Sequence, residues 1–309
     1  MSSPLRIGTR GSPLALAQAH QTRARLAAAH AALAAPDAIE IVVIKTTGDR
    51  IQDRTLMEAG GKGLFTKEIE EALTAGSIDL AVHSMKDVPT WLPDGLEIRC
   101  LLPREDPRDA FFSGIAGHLD DLPEGAVVGT ASLRRQAQVL SRRPDLKVVP
   151  IRGNVETRLR KLAAGEVDAT MLALAGLRRL DMTDRITAVL ETDIMLPAVA
   201  QGAIGIETRA GDDHTNGLLA ALNCEETFIR VAAERALLAA LDGSCRTPIA
   251  ALAQLDGAGN LTLEALVADP AGSRVLRTDR SGSASDAEAL GRDAGEELKS
   301  LMPPDFFVS

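Results

Sequence analysis

Tyrosine is absent from this chain of 309 residues, tryptophan occurs once, and aromatic residues make up 2% of the total. A general binder of nucleic acid stacks bases on aromatic rings and wraps the backbone in positive charge. The formal net charge is instead −9, so no nucleic-acid partner is expected. Cysteine is scarce as well: Cys100, Cys224 and Cys245 form an odd set at unrelated spacings with no CxxC pair. That excludes a disulfide framework, offers no metal-ligand spacing, and points to a reducing compartment. No apolar run approaches membrane-spanning length, so no membrane partner is expected. The opening MSSPLRIGTR lacks the basic-then-apolar pattern of a signal peptide. The expectation is a cytoplasmic monomer without a metal. No internal repeat or low-complexity tract is evident.

What is present is core. Hydrophobic residues make up 45%, enough for two or three domains. Leu5–Thr9 reads as a strand, and Ser12 with Pro13 opens a helix whose apolar stripe is Leu14, Ala17, Leu26 and Leu33. Ile39–Ile44 reads as a strand buried on both faces. Lys45–Lys62 is polar, carries Gly48, Gly60 and Gly61, and has no period. A loop of that length in a compact domain is expected to be a lid or a disordered surface segment. A helix from Thr66 to Ala75, a strand Ile78–Val82 and a strand Leu96–Leu102 follow. Pro103–Asp109 is dense in charge and proline and reads as a hinge.

The βα pattern then restarts. Strands are expected over Ala126–Gly129, Leu146–Ile151 and Val167–Ala173, with Ser132 and Asn154 capping the helices between them. Near Leu196–Gly202 the pattern breaks, and Ile204–Glu207 reads as a strand returning to the first domain. After a helix over Glu225–Leu241 come strands Ile249–Leu255, Leu261–Ala268 and Arg274–Arg280 and a helix over Ala284–Leu301. The expected fold is α/β: two hinged βα domains enclosing a cleft, and a smaller C-terminal α+β domain with a three-stranded antiparallel sheet. The boundaries are 1–103 with 203–222, then 104–202, then 223–309.

Chemistry concentrates at the strand ends. After Val82 the apolar run stops, and His83, Ser84, Lys86 and Asp87 arrive together before Pro89. Open α/β sheets place ligands at such strand ends. An acid, a base and a hydroxyl there suit proton chemistry beside an anionic group. Arg10, Arg134, Arg135, Arg152, Arg158 and Arg179 all follow expected strands or open the next helix, where guanidinium forks grip carboxylates. An acidic protein with that arrangement suits a small molecule bearing several carboxylates or phosphates. Cys245 lies on a Gly-Ser-Cys-Arg-Thr-Pro turn, a reachable thiol beside an arginine; the sequence offers it no base.

Seven segments together resemble the porphobilinogen deaminase (hydroxymethylbilane synthase) family. They are TRGSPLAL from Thr9, GKGLF from Gly61, AVHSMKDVP from Ala81, REDPRDA from Arg104, GTASLRRQ from Gly129, RGNVETR from Arg152 and LPAVAQG from Leu196. They run in order along nearly the whole chain. The resemblance implies that the first two domains are similar to periplasmic binding proteins. It implies a dipyrromethane cofactor held by a thioether to Cys245, stepwise condensation of four porphobilinogens with loss of ammonia, and release of a linear tetrapyrrole. By the same resemblance Asp87 is the catalytic carboxylate. Ser84, Lys86, Asp87, Thr130, Ser132, Arg134, Arg135 and Arg158 match cofactor contacts, and Arg10, Ser12, Gln18, Arg152 and Arg179 match groups around the substrate. Phe65 matches an aromatic near the active site. Ser244 departs from the family pattern, which commonly has glycine before the cysteine.

Two readings from other classes compete. A hinged solute-binding protein for a small polycarboxylate would have the same paired domains but no covalent adduct. A ligand-sensing transcription regulator would need a helix-turn-helix, yet the N-terminus runs straight into a strand.

Overall fold

The computed structural model describes residues 3–50, 63–243, 247–303 and 306–307. The chain forms two compact units: one takes the N-terminal part as far as Glu105 together with Gly202–Phe228, the other takes Asp106–Gln201 and Ile229–Ser309.

In the first unit, β1 (Leu5–Thr9) leads to α1 (Pro13–Ala29), where Ser12 Oγ accepts from the Ala15 amide at 3.3 Å and Pro13 sits in the first turn. The buried face of α1 is Ala15, Gln18, Ala19, Thr22 and Leu26. This is rotated from the expected stripe: Leu14 and Ala17 are only partly covered. Small residues let the helix lie close to the sheet, and the two polar ones find partners. The Thr22 hydroxyl donates to the Gln18 carbonyl at 3.0 Å.

Then come β2 (Ile39–Val43), the single turn α2 (Thr47–Arg50), α3 (Lys67–Thr74), β3 (Leu80–Ser84) and β4 (Leu96–Leu101). β2 was expected to be buried on both faces but lies at the sheet edge, and Val43 is 52% exposed. An edge strand has a neighbour on one side only, so its composition overstates its burial. The remainder of the expected lid, 51–62, lies outside the described residues.

The second unit opens with β5 (Asp109–Ser113), which begins at the last residue of the expected hinge. β6 (Val127–Gly129), α4 (Leu133–Arg142), β7 (Lys147–Val149), α5 (Val155–Ala163), β8 (Ala169–Ala173), α6 (Leu174–Arg179) and β9 (Ala188–Leu190) follow. Ser132 and Asn154 cap α4 and α5 through their side chains. The chain returns to the first unit with β10 (Ile204–Arg209) and α7 (Asp213–Leu219), then runs through α8 (Glu225–Ala240). β11 (Ile249–Leu255), β12 (Asn260–Ala268), β13 (Val275–Ser283) and α9 (Ala287–Leu301) complete it.

The two five-stranded sheets share one plan. Their orders are β2-β1-β3-β10-β4 and β7-β6-β8-β5-β9. In each, four strands run in one direction, and the fourth position is filled antiparallel by the strand at a domain crossing. β10 pairs with β3 and β4, so it is the returning strand that was expected. The topology repeats where the sequence does not.

Both sheets are covered on two faces. Leu26 of α1 joins Leu5, Ile7, Leu80 and Val82 on one side of the first sheet, while Ile69 and Leu73 of α3 join Ala81 and Leu96 on the other. In the second sheet, Val139 of α4 packs with Val128 and Met171, and Leu159 of α5 packs with Ala110, Phe112 and Leu172 on the opposite face. With the order 2-1-3, the helices leaving the central strand and its neighbour lie on opposite faces. This opens a crevice at the carboxyl ends of the strands.

The C-terminal sheet, β11-β12-β13, is antiparallel throughout and carries α9. Ala250, Leu252, Leu266 and Ala268 form one core with Ala137 of α4 and Leu196. α9 lies against α8 at Gly291 and Gly295, where an added Cβ would run into the backbone carbonyls of Ala233 and Leu237.

Candidate active site

In the first unit, β1 and β3 are parallel neighbours, so the residues that follow them emerge at the same sheet edge. Alternation along β3 sends Leu80, Val82 and Ser84 to the α1 face and Ala81 and His83 to the α3 face. Ser84 therefore meets α1: Gln18 Nε2 donates to its hydroxyl at 2.8 Å. The structure thus brings together two residues that lie 66 positions apart in sequence.

After Ser84 the chain makes a single 3-10 turn, Met85–Asp87, with the Met85 amide donating to the Ala203 carbonyl of the returning segment at 3.0 Å. Asp87 ends that turn half-buried, and among the described residues no hydrogen bond or ion pair engages its carboxylate. Lys86 beside it is also half-buried.

His83 points the other way, into the α3 face. Its Nε2 lies 3.0 Å from Glu207 Oε2, and both side chains are buried. Burial pushes the carboxyl of Glu70 on α3 up, the charge of Glu207 adds to this, and the Thr66 hydroxyl and His83 act against it.

Arg10 follows β1. Its guanidinium bonds Asp49, with Nε 3.1 Å from Oδ1, and its Cζ lies 4.2 Å over the Phe65 ring. Burial alone would raise the Asp49 carboxyl, but hydrogen bonds and charge from Arg10 outweigh it and hold the group below its usual range. Ser12 is used in the cap of α1.

In the second unit, the edge after β6 carries Thr130 and Ser132, whose amide donates to Thr130 Oγ1 at 3.1 Å. Arg134 and Arg135 do not project outward. Both are buried and both bond Asp109, at 2.7 Å for Arg134 Nη2 and 2.8 Å for Arg135 Nη2. Arg134 Nη1 also donates to the Leu196 carbonyl at 2.7 Å and Arg135 Nη1 to the Met171 carbonyl at 2.9 Å. Gln201 Nε2 reaches Asp109 Oδ1 at 2.9 Å. Burial would raise the Asp109 carboxyl, yet the two guanidiniums hold it far below the usual carboxylate range.

At this sheet's edge, Arg134 Nε and Arg152 Nη1 are buried without a hydrogen-bond partner among the described residues. Arg158 Nε donates to the Gly153 carbonyl at 2.9 Å. Arg179 ends α6 and is half-buried.

Sequence reasoning missed Asp109, Asp49, Gln201 and the pair His83–Glu207. The one available signal was the density of carboxylates in the REDPRDA stretch. Cys245 lies outside the described residues. Burial pushes the Cys100 thiol up to about 12, which leaves it protonated at neutral pH.

A ligand that answers buried guanidiniums is polyanionic, because an unpaired desolvated donor is costly until an acceptor reaches it. Fold and sites together define a protein of two doubly wound α/β modules whose strand edges carry arginine, hydroxyl and carboxylate side chains suited to a carboxylate-rich small molecule.

Comparison with known proteins gives the family. The model "Porphobilinogen deaminase, dipyromethane cofactor binding domain" matches residues 5–217, and "Porphobilinogen deaminase, C-terminal domain" matches residues 228–300. The chain belongs to the porphobilinogen deaminase family. It is 59% identical over 309 residues to the chloroplastic porphobilinogen deaminase of Oryza sativa subsp. japonica, covering 99% of this chain and 86% of the relative. It is 59% identical over 305 residues to the porphobilinogen deaminase of Paracoccus denitrificans (strain Pd 1222), covering 99% and 96%. Among solved structures, the methionine binding protein MetQ superposes with a TM-score of 0.45 at 14% identity, covering 73% of this chain and 92% of that one. Among the described residues, no helix is long and apolar enough to cross a membrane.

Proposed function

We propose that this chain condenses four porphobilinogen molecules head to tail on a covalently held dipyrromethane, releasing ammonia and the linear tetrapyrrole hydroxymethylbilane. The observation that carries the reading is Asp87: a carboxylate with no partner among the described residues, at a strand edge that also carries Arg10 and Ser84, the latter bonded to Gln18 of α1.

Asp87 passes a proton to the departing amine, and its carboxylate then faces the positive charge left on the substrate. The bound dipyrromethane supplies the nucleophilic primer to which substrate is joined. Its acetate and propionate groups fit this chain: Arg134 Nε is a buried donor lacking an acceptor among the described residues. Ser84, Lys86, Thr130, Ser132, Arg134, Arg135 and Arg158 hold the cofactor, with Asp109 fixing the two adjacent guanidiniums from behind. Arg10, Ser12, Gln18, Arg152 and Arg179 receive the substrate and the growing chain.

Cys245 is the anchor, on the C-terminal domain of residues 223–309. Residues 1–103 with 203–222 and residues 104–202 form the other two domains. The protein works as a monomer in the cytoplasm. Scarce cysteine and the absence of a disulfide framework support the reducing compartment.

Intact-mass measurement with a porphobilinogen consumption assay tests the reading. The purified protein should be heavier than its sequence by one dipyrromethane, mapped to Cys245, and should turn over porphobilinogen. A protein of unmodified mass that binds a polycarboxylate without consuming porphobilinogen would instead be a solute-binding protein.

A further inference from the structure

We propose that Asp49 is a positioning residue: it turns Arg10 so that one edge of the guanidinium faces the incoming carboxylate. This rests on the assignment of Arg10 to substrate binding.

A guanidinium offers two bidentate edges, Nε with Nη2 and Nη1 with Nη2. Asp49 takes the first: Nε lies 3.1 Å from Oδ1 and 3.3 Å from Oδ2, and Nη2 bonds Oδ1 as well. Phe65 covers one face of the same group, with its ring centroid 4.2 Å from Cζ. Nη1 donates to no other described residue. The second edge is what remains for a ligand.

Asp49 is itself held. The Thr46 hydroxyl donates to Oδ2 at 2.8 Å, which fixes the carboxylate relative to the end of β2. The Gly48 amide donates to the Leu64 carbonyl at 2.8 Å, and a Cβ at Gly48 would overlap the Phe65 ring. Glycine therefore lets the turn carrying Asp49 close against the residue that stacks on Arg10. The Thr47 amide donates to Glu68 Oε1 at 2.9 Å and ties the same turn to the start of α3. An arginine at the end of a strand has several rotamers; these contacts leave it one, so less freedom is lost when a carboxylate arrives.

The double-mutant cycle of R10L and D49A, read as KM and kcat for porphobilinogen, tests this. D49A should raise KM about tenfold with kcat nearly unchanged, the size expected when one charge-assisted hydrogen bond is weakened. The double variant should be no weaker than R10L alone, because Asp49 acts through Arg10. D49N, which keeps the shape without the charge, should fall between wild type and D49A, and all variants should melt within a few degrees of wild type. An additive double variant, an unchanged KM in D49A, or a lowered KM showing that Asp49 competes with substrate would each overturn the proposal. A wild-type protein that does not consume porphobilinogen would overturn the functional reading instead.

Discussion

Met85 occupies the space that a side chain at Gly205 would need, so the turn bearing Asp87 rests directly on the backbone of the returning strand β10. The register places Gly205 opposite His83, and the Met85 amide bonds the Ala203 carbonyl at 3.0 Å. The position of Asp87 thus depends on a residue with no functional group at all.

Gly205→Ala should push Met85 out of its seat and displace Asp87. Overpacking of this kind costs about 1–3 kcal/mol, and turnover should fall more than stability. A second change, Met85→Ala, should restore much of the activity by making room. Porphobilinogen turnover and thermal melting of the single and double variants check this; a double variant no better than Gly205→Ala alone would show that the two residues are not coupled.

Asp87→Asn should fold as wild type and retain the cofactor, since no contact with another described residue depends on its charge. Loss of a carboxylate facing a developing cation should lower kcat about 10²-fold or more. Circular dichroism, intact mass and turnover measured on the same preparation separate chemistry from folding.

Asp109→Asn should be costly for another reason. It leaves Arg134 and Arg135 buried with their shared counter-charge removed, a change of about 3–5 kcal/mol by analogy with other broken buried pairs. The folded carboxyl lies well below the ordinary value of about 3.9. Its contribution to stability is therefore full above that value and is lost as the pH falls through it toward the folded value. Urea denaturation between neutral and acid pH should show wild type weakening over this window. Asp109→Asn should be weaker at neutral pH and less sensitive to acid.

Arg152→Leu should leave the protein folded and the cofactor attached, because Arg152 Nη1 has no partner to lose among the described residues. Elongation should stall, seen by mass spectrometry as enzyme carrying fewer added pyrrole units than wild type under the same porphobilinogen pulse. A normal ladder of intermediates would remove Arg152 from the substrate path.

The local elements were legible because their causes are local. Ser12 before Pro13, Ser132 and Asn154 announce helix starts through side chains that bond amides three residues on. Ile78–Val82 followed by Ser84, Lys86 and Asp87 announces a strand end with polar residues at its tip. The family resemblance rests on such short segments, and it carried the activity and the cofactor with it.

β5 and β9 were not legible. β9 has three residues, β5 begins inside the charged, proline-dense stretch that reads as a hinge, and β5 gains its place only by pairing with β8 and β9, more than fifty positions along the chain. The buried face of α1 was not legible because it includes Gln18 and Thr22, which are acceptable inside because Ser84 and the Gln18 carbonyl bond them.

By itself, the sequence determined the α/β class, the strand tips where chemistry collects, and the arginine-rich answer to a polycarboxylate. Only the tertiary structure decided that Arg134 and Arg135 turn inward to Asp109, that Arg10 is oriented by Asp49 and Phe65, and that Asp87 stands on Gly205 through Met85. The physical reason is that periodicity and capping act over a few residues. A charge, by contrast, is steered by whichever partner the folded chain brings within about 4 Å, and that partner's distance along the sequence is unconstrained.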